Sequence, residues 1–302
     1  MTDFRQPLDP LAVTSMLVLC ALWGFQQVAI QLAAPVIPLV LQAAIRSTIA
    51  TLLVFAWAKL RRIPLFERDG TLVPGILAGL LFGGEFAMIY AGLAHTTAAR
   101  MVVFVYLAPC LAAVGLALFV RGERLAPVQT FGVALAFAGI VVAFGDGFSS
   151  AGRSTIIGDA LGVLAAAGWA ATTVLIRATR LARVSATKTL SYQLGVSALM
   201  LPLVSLALGE GGASAWTPIA VASLAFQSVI VAFASYLTWF WLLTRYLANR
   251  LSVFSFAAPL FGVAFGHLIL GDPLTPTFLG AAALVGVGIV LVNPRVRKTG
   301  VP

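Results

Sequence analysis

Charged residues are scarce in this sequence of 302 residues. Asp, Glu, Lys and Arg together make up 10% of the chain, whereas soluble domains contain about 25%. Hydrophobic residues make up 61%, and the mean hydropathy is +1.03. A soluble protein of this size cannot bury so much apolar surface, since a large part of its area always stays in water. The composition therefore excludes an ordinary soluble enzyme and favours a protein that crosses a membrane several times.

Cysteine and histidine are rarer still, with two residues of each. Cys20 and Cys110 lie inside apolar runs, and His95 and His267 belong to no metal-binding motif, so we expect no disulfide framework and no metal site. The sequence has no GxSG-type serine, no paired aspartates and no His/Cys cluster, and its loops are too short for a catalytic domain. We therefore expect no catalytic residue, no cofactor and no enzyme. It also lacks a channel-like filter or ring of charges.

Ten apolar runs are long enough to cross a bilayer as helices, which takes about 20 residues each. Pro and Gly residues with polar neighbours mark the breaks between them. Transmembrane strands would be about half as long and would alternate in polarity. We predict an all-α integral membrane protein whose spans cover residues 11–32, 37–58, 72–92, 98–119, 128–145, 156–176, 187–208, 217–243, 248–270 and 275–293.

The net charge of +9 is explained by the loops rather than by nucleic acid. If the N-terminus is cytoplasmic, sixteen of the 19 Lys and Arg residues fall in cytoplasmic segments and two, Arg100 and Arg153, fall outside, while Arg46 lies within a span. Cytoplasmic loops are enriched in Lys and Arg. The bias predicts a multi-pass protein with both termini in the cytoplasm, and it also supports the number of ten spans.

A weak internal repeat divides the chain in two. The order of features in residues 98–144 returns in residues 248–292: Arg100 corresponds to Arg250, Phe104 to Phe254, Pro109 to Pro259, Glu123 to Asp272, and Gly132 to Gly280. Trp23 corresponds in the same way to Trp169. Five spans is an odd number, so the second copy must enter the bilayer upside down. We predict two inverted five-helix repeats, residues 1–147 and 148–302, an architecture of alternating-access transporters with a substrate site between the repeats.

This pattern resembles the EamA branch of the drug/metabolite transporter superfamily. The resemblance rests on a mid-span Pro, an acidic residue at the helix end and a Gly-rich next helix: Pro109, Glu123, Gly132 and Gly139 in the first copy, and Pro259, Asp272, Gly280 and Gly286 in the second. The second copy has Asp where the family usually has Glu. The chain is also similar to bacterial aromatic amino acid exporters. That similarity implies export of small metabolites through the bacterial inner membrane.

Polar and aromatic residues inside the spans are the candidate substrate contacts, because helical spacing places several of them on shared faces. The predicted set is Trp23, Gln27, Phe82, Glu85, Tyr90, Met101, Trp169, Thr173, Gln227, Thr238, Trp241 and Phe254. Pro109 and Pro259 each free a backbone carbonyl and allow a bend, so they are candidate hinges or gates.

Each candidate also has a purely structural interpretation. The polar side chains could join helices, the aromatic stripes could be core or lipid-facing, and the prolines could be simple kinks. A carboxylate within the bilayer is by default a functional hypothesis. Glu85 could meet a substrate amino group, could be protonated during transport, or could pair with Arg46.

The expected function is export of amino acids, above all aromatic or other hydrophobic ones. A zwitterion suits an interior with few charges, where aromatic faces, amide dipoles and one acidic group can hold it. Efflux of drugs, nucleobases or other metabolites is the alternative. The expected partners are a small-molecule substrate and the lipid bilayer, with no nucleic acid, and a monomer is the simplest assembly compatible with them.

Overall fold

The computed structural model describes residues 9–120, 124–150, 153–246, 251, 254 and 257–292. Eight helices in this part of the chain are long and apolar enough to cross a membrane, and two more are shorter. They occupy the ten predicted positions: α1 Pro10–Ala33, α2 Leu39–Leu60, α3 Leu72–Gly92, α4 Ala98–Phe119, α5 Pro127–Ser150, α6 Arg153–Ala178, α7 Ala186–Ala207, α8 Pro218–Arg245, α9 Ala257–Leu270 and α10 Pro276–Val292. The predicted all-helical class and ten spans are confirmed. The predicted division at residues 147 and 148 falls in the last turn of α5.

Local sequence explains where several helices begin. Asp9 and Thr217 cap α1 and α8, and each is followed by a Pro at the first helical position. Thr97 and Ser185 cap α4 and α7 by accepting hydrogen bonds from the backbone N–H three residues later. Short polar side chains satisfy N–H groups that have no partner within the helix, and Pro has no N–H to leave unpaired.

Two spans of the second repeat and one of the first depart from regular α-helix. Helix α4 is interrupted at Tyr106 and Leu107. The middle of α8, Phe226–Ser235, is a π-helix, and α9 ends in a π-helical turn, Gly266–Leu270. Gly271 then closes α9 with φ +71°, a left-handed conformation that glycine adopts without a steric penalty. π-Helical segments are rare and occur often at functional sites.

The helix packing joins counterpart spans of the two repeats. Helix α2 packs on α7, α4 on α9, and α5 on α10. Gly132 of α5 and Gly288 of α10 face each other so closely that a methyl group on either would come within 2.8 Å of the other's carbonyl oxygen. Small residues allow this close approach of backbones, which is a main source of helix association in lipid.

The ends of the bundle show that the second repeat is inverted. At one end, Asp69 in the α2–α3 loop accepts a hydrogen bond of 2.7 Å from Lys188 in the first turn of α7. At the other end, Glu210 in the α7–α8 loop accepts hydrogen bonds from the N–H groups of Val40 and Leu41 in the first turn of α2, at 3.0 and 2.8 Å. Equivalent contacts at opposite ends are what an inverted repeat requires.

The end of the bundle that holds Lys59, Asp69 and Lys188 is called the basic side. The end that holds Thr96, Arg100, Asp146 and Glu210 is called the Arg100 side. On the basic side, the hydrogen bond from Lys188 is the largest cause that lowers the pKa of Asp69 to about 2, with a further contribution from Thr71. The Asp69 carboxylate is therefore charged at neutral pH.

Candidate functional site

Two charged side chains lie at the same depth inside the bundle. Arg46 is seven residues from the start of α2, and Glu85 is seven residues from the end of α3. Both of these helix ends are on the Arg100 side, so each charge lies about 10 Å below it at 1.5 Å per residue. Arg46 is fully buried and Glu85 is 5% exposed. Among the described residues no salt bridge joins them.

Aromatic rings from both repeats surround Arg46. The ring of Phe86 lies under the guanidinium, 4.0 Å from Cζ to the ring centroid. Arg46 Nη2 donates a long hydrogen bond of 3.5 Å to the hydroxyl of Tyr236 in α8. Phe82 contacts Phe86 and Tyr236 with centroid distances of 4.7 and 6.5 Å. Contact with an aromatic face stabilises a cation by about 2 kcal/mol or more when water is excluded.

A chain of hydrogen bonds next to this group crosses between the repeats. Tyr90 of α3 donates to Gln227 of α8 at 2.6 Å, and Gln227 donates to Gln42 of α2 at 3.1 Å. Gln42 in turn donates to the backbone oxygens of Ile30 and Ile37. Because all three side chains are buried, this series of hydrogen bonds fixes the packing of α2, α3 and α8 against one another.

The two tryptophans of the repeat pattern lie at equivalent places. Trp23 donates a hydrogen bond of 2.9 Å from Nε1 to Ser235 and contacts Trp239 edge to face at 6.0 Å. Trp169 contacts Tyr106 edge to face at 5.7 Å. Its neighbour Gly168 is where α6 approaches Glu85, since a methyl group there would lie 3.4 Å from Glu85 Cβ. Both tryptophans are half-buried, with apolar faces beside polar groups.

The remaining predicted residues are spread over the bundle. Phe82, Tyr90 and Met101 share one buried apolar cluster, against which Trp169 packs, and Phe254 packs on a second cluster. Thr173 and Thr238 donate their hydroxyls to carbonyls of their own helices. Gln27 is buried in α1, and its Oε1 has no hydrogen-bond partner among the described residues. Trp241 is set apart, 37% exposed and stacked with Arg245 at 4.5 Å.

The candidate hinges lie at irregular places. Pro109 follows the interruption of α4 at Tyr106 and Leu107, where its ring excludes the carbonyl of Val105 from the helical pattern. It borders a pocket of about 270 Å³ at the basic side, which Arg124, Gln129 and Val292 also line. Pro259 is buried near the start of the described part of α9. Two members of the repeat pattern, Glu123 and Arg250, lie outside the described residues.

A buried ionic cluster holds the Arg100 side together. Arg100 donates to both oxygens of Asp159 in α6, to Asp146 at 2.8 Å and to the carbonyl of Ala143 in α5. Thr275, in the loop before α10, donates to the other oxygen of Asp146 at 2.5 Å. The carboxylate of Asp272 accepts from the N–H of Ala99 at 2.8 Å. The cluster joins first-repeat helices α4 and α5 to second-repeat helix α6 and the α9–α10 loop.

Sequence reasoning missed three parts of this site. It left a pairing of Arg46 with Glu85 open as one possibility, it did not single out Tyr236 or Trp239, and it counted Arg100 with the outer loops. The available signals were the polar tip of a mid-span Tyr and the presence of Asp146 and Asp159 near span ends, since buried charges are paired. The absence of a salt bridge between Arg46 and Glu85 in the described part of the chain had no sequence signal, because spacing gives depth and not the separation of side chains.

The sequence matches the EamA-like transporter family twice, over residues 10–145 and 156–293. The uncharacterized transporter YvbV of Bacillus subtilis is 29% identical over 280 residues, covering 92% of this chain and 90% of that protein. A protein of Salmonella typhimurium, named a probable amino-acid metabolite efflux pump, is 26% identical over 294 residues, covering 94% and 95%. One solved crystal structure, 23% identical, has the same fold with a TM-score of 0.65 and covers 92% of this chain and 96% of its own.

These matches agree with the predictions of a membrane transporter and of a chain that is not an enzyme. The two family matches follow the repeat that the sequence pattern predicted, one for each set of five spans. Together they span most of the sequence, and the chain therefore belongs to the EamA-like transporter family.

Proposed function

We propose that this transporter exports amino acids, above all aromatic or other hydrophobic ones, by alternating access. The observation that carries the proposal is Glu85, a buried carboxylate on a helix lined with Phe82, Phe86 and Tyr90, with no salt bridge among the described residues. An intramembrane charge is costly and is retained where function needs it. The name of the Salmonella typhimurium relative supports the same class of cargo.

The cargo would lie between the repeats. Both contribute to this region, with Trp23, Glu85 and Tyr90 from the first and Trp169 and Gln227 from the second. Aromatic faces suit an apolar side chain and also attract an ammonium group. Carboxylate, rings and amide groups therefore match the different parts of a hydrophobic amino acid.

Alternating access requires the contacts at the two ends to open in turn. The Arg100 cluster joins the repeats on one side, and the Asp69–Lys188 pair joins them on the other. Pro109 lies after an interruption of α4 and beside a pocket, so α4 has room to bend there. We assign Pro109 and Pro259 the role of paired hinges.

The proposed orientation has the basic side in the cytoplasm. Lys and Arg dominate the loops on that side, and cytoplasmic loops carry this excess. Both termini are then cytoplasmic, and transport toward the Arg100 side is export through the inner membrane of a bacterium.

The proposal is tested by ligand-induced thermal stabilisation of the purified protein, followed by counterflow in vesicles. Selective binding raises the apparent stability. We expect phenylalanine, tyrosine or leucine to stabilise the protein and to exchange, while cationic dyes and nucleobases do not. Trp169→Ala and Glu85→Gln should weaken both effects. Trp216→Ala, which removes an exposed ring outside the bundle interior, should not. Stabilisation by dyes or nucleobases alone would favour the alternative cargo instead.

A further inference from the structure

Arg46 is buried, and among the described residues it has no anionic partner. Its side chain has no solvent exposure, and its Nε and Nη1 atoms have no hydrogen-bond partner among the described residues. The remaining nitrogen, Nη2, makes only the 3.5 Å bond to Tyr236. Four of the five guanidinium N–H donors therefore have no partner among the described residues. A buried guanidinium normally has its donors satisfied, because burying an uncompensated charge costs several kcal/mol.

The chemistry of the unused donors selects the partner. Guanidinium is planar and always charged, and its fork of N–H groups matches the two oxygens of a carboxylate. The Phe86 ring lies against the guanidinium, with its centroid 4.0 Å from Cζ. An anion would thus be bound at an edge of the guanidinium, where the unused donors lie.

Glu85 places a carboxyl group at the same depth in the bundle as Arg46. Among the described residues the two side chains form no salt bridge. A guanidinium and a carboxylate that are free to meet in a medium of low dielectric constant would ordinarily make direct contact. The architecture instead holds a guanidinium and a carboxyl group apart, beside aromatic rings from α3 and α8.

We infer that Arg46 binds the carboxylate of the cargo, while Glu85 faces its ammonium group. The inference rests on the proposed transport of amino acids and narrows it to molecules that carry a free carboxylate. Amides, esters and decarboxylated amines of the same side chain leave the guanidinium unpaired and are rejected. An unsatisfied polar group in a binding site is what makes such rejection strong.

The first test uses the full-length wild-type protein and needs no variant. Apparent dissociation constants are measured from thermal stabilisation with phenylalanine, phenylalaninamide and 2-phenylethylamine. We expect phenylalanine to bind about tenfold or more tightly than either analogue, because each loses a charge-assisted hydrogen bond. Equal binding of the amide would overturn the role of Arg46 and leave amino acid transport intact. Absence of binding by any amino acid would overturn the proposed function, and this inference with it.

The second test uses matched variants. Arg46→Gln should abolish the preference for phenylalanine over its amide, and Arg46→Lys should keep part of it. Lys59→Gln removes an exposed positive charge from the same helix and should keep the wild-type ratio. In Glu85→Gln, 3-phenylpropionate should bind more tightly relative to phenylalanine, since the repelling carboxylate is gone. A wild-type ratio in Arg46→Gln would overturn the inference.

Discussion

The hydroxyl of Tyr90 connects the two repeats through a single short hydrogen bond to Gln227. Both side chains are buried, so neither has water as an alternative partner. Within a membrane such bonds stabilise the fold by about 0.6 kcal/mol on average and by up to about 1.7 kcal/mol. We expect this bond to contribute more than the average because Gln227 also donates to Gln42 and Ser223, and a network loses more than one contact when a member is removed.

Tyr90→Phe is therefore expected to destabilise the protein by about 1 kcal/mol, since it leaves the Gln227 oxygen without its donor. The measurement is thermal unfolding in detergent, completed as a double-mutant cycle with Gln227→Leu. The double variant should be less destabilised than the sum of the two single variants. Strict additivity would mean that the hydrogen bond contributes nothing to stability.

Other site residues were predictable only in part. The positions of Trp23, Glu85 and Trp169 followed from helical spacing, because polar and large aromatic side chains inside a span are few. Their partners did not follow, since spacing along one helix cannot say which neighbour lies opposite. Thr173 and Thr238 illustrate this, because their hydroxyls donate to their own helices. In a regular α-helix Trp241 would lie on the same face as Gln227, but Trp241 is exposed. The π-helical segment of α8 lies between the two residues and changes the angle between their side chains around the helix axis.

At the scale of helices, the glycines of α10 have different roles. Gly288 faces Gly132 and Ala136 of α5, and a methyl group there would lie 2.6 Å from the Gly132 oxygen and 2.7 Å from Ala136 Cβ. Around Gly286 nothing lies within 4 Å of the same atom. The resemblance to the family pointed to Gly286, whereas the close contact between α5 and α10 depends on Gly288.

Gly288→Ala is expected to push α5 and α10 apart and to destabilise the protein by about 1–3 kcal/mol, the usual cost of overpacking. Gly286→Ala is the matched control on the same helix, and it should leave stability unchanged or raise it by up to about 1 kcal/mol through helix propensity. Thermal unfolding of the two variants in one detergent makes the comparison. The packing argument fails if the two substitutions have equal effects.

Helix positions were predictable because each span needs about 20 apolar residues and the breaks contain Pro, Gly and charges. The π-helical segments of α8 and α9 were not, since no residue in Phe226–Ser235 or Gly266–Leu270 forbids regular α-helix. The interruption of α4 was closer to predictable, because Pro109 cannot continue a regular helix.

For the whole molecule, inversion follows from an odd number of spans in each repeat, so it was predictable once the repeat was seen. The structure adds contacts that only an inverted arrangement produces. The α2–α3 loop meets the start of α7 on the basic side, and the α7–α8 loop meets the start of α2 on the Arg100 side. In parallel repeats the α2–α3 loop and the start of α7 would lie at opposite ends of the bundle, and neither of these contacts could form.

The side of the membrane that each end faces is testable by labelling. Lys59, Arg180 and Gly211 are exposed and lie in loops or at helix ends, so each can be replaced by a single cysteine for labelling. The native Cys20 and Cys110 are buried. In intact cells a membrane-impermeant maleimide should react with Gly211→Cys at once and with Lys59→Cys and Arg180→Cys only after permeabilisation. Lys59 and Arg180 belong to different repeats, yet Arg180 Nη1 reaches the backbone oxygen of Asp69, so both must share one side. Reaction of these two from opposite sides would refute the inverted fold, whereas reversal of all three positions would refute only the cytoplasmic placement of the basic side.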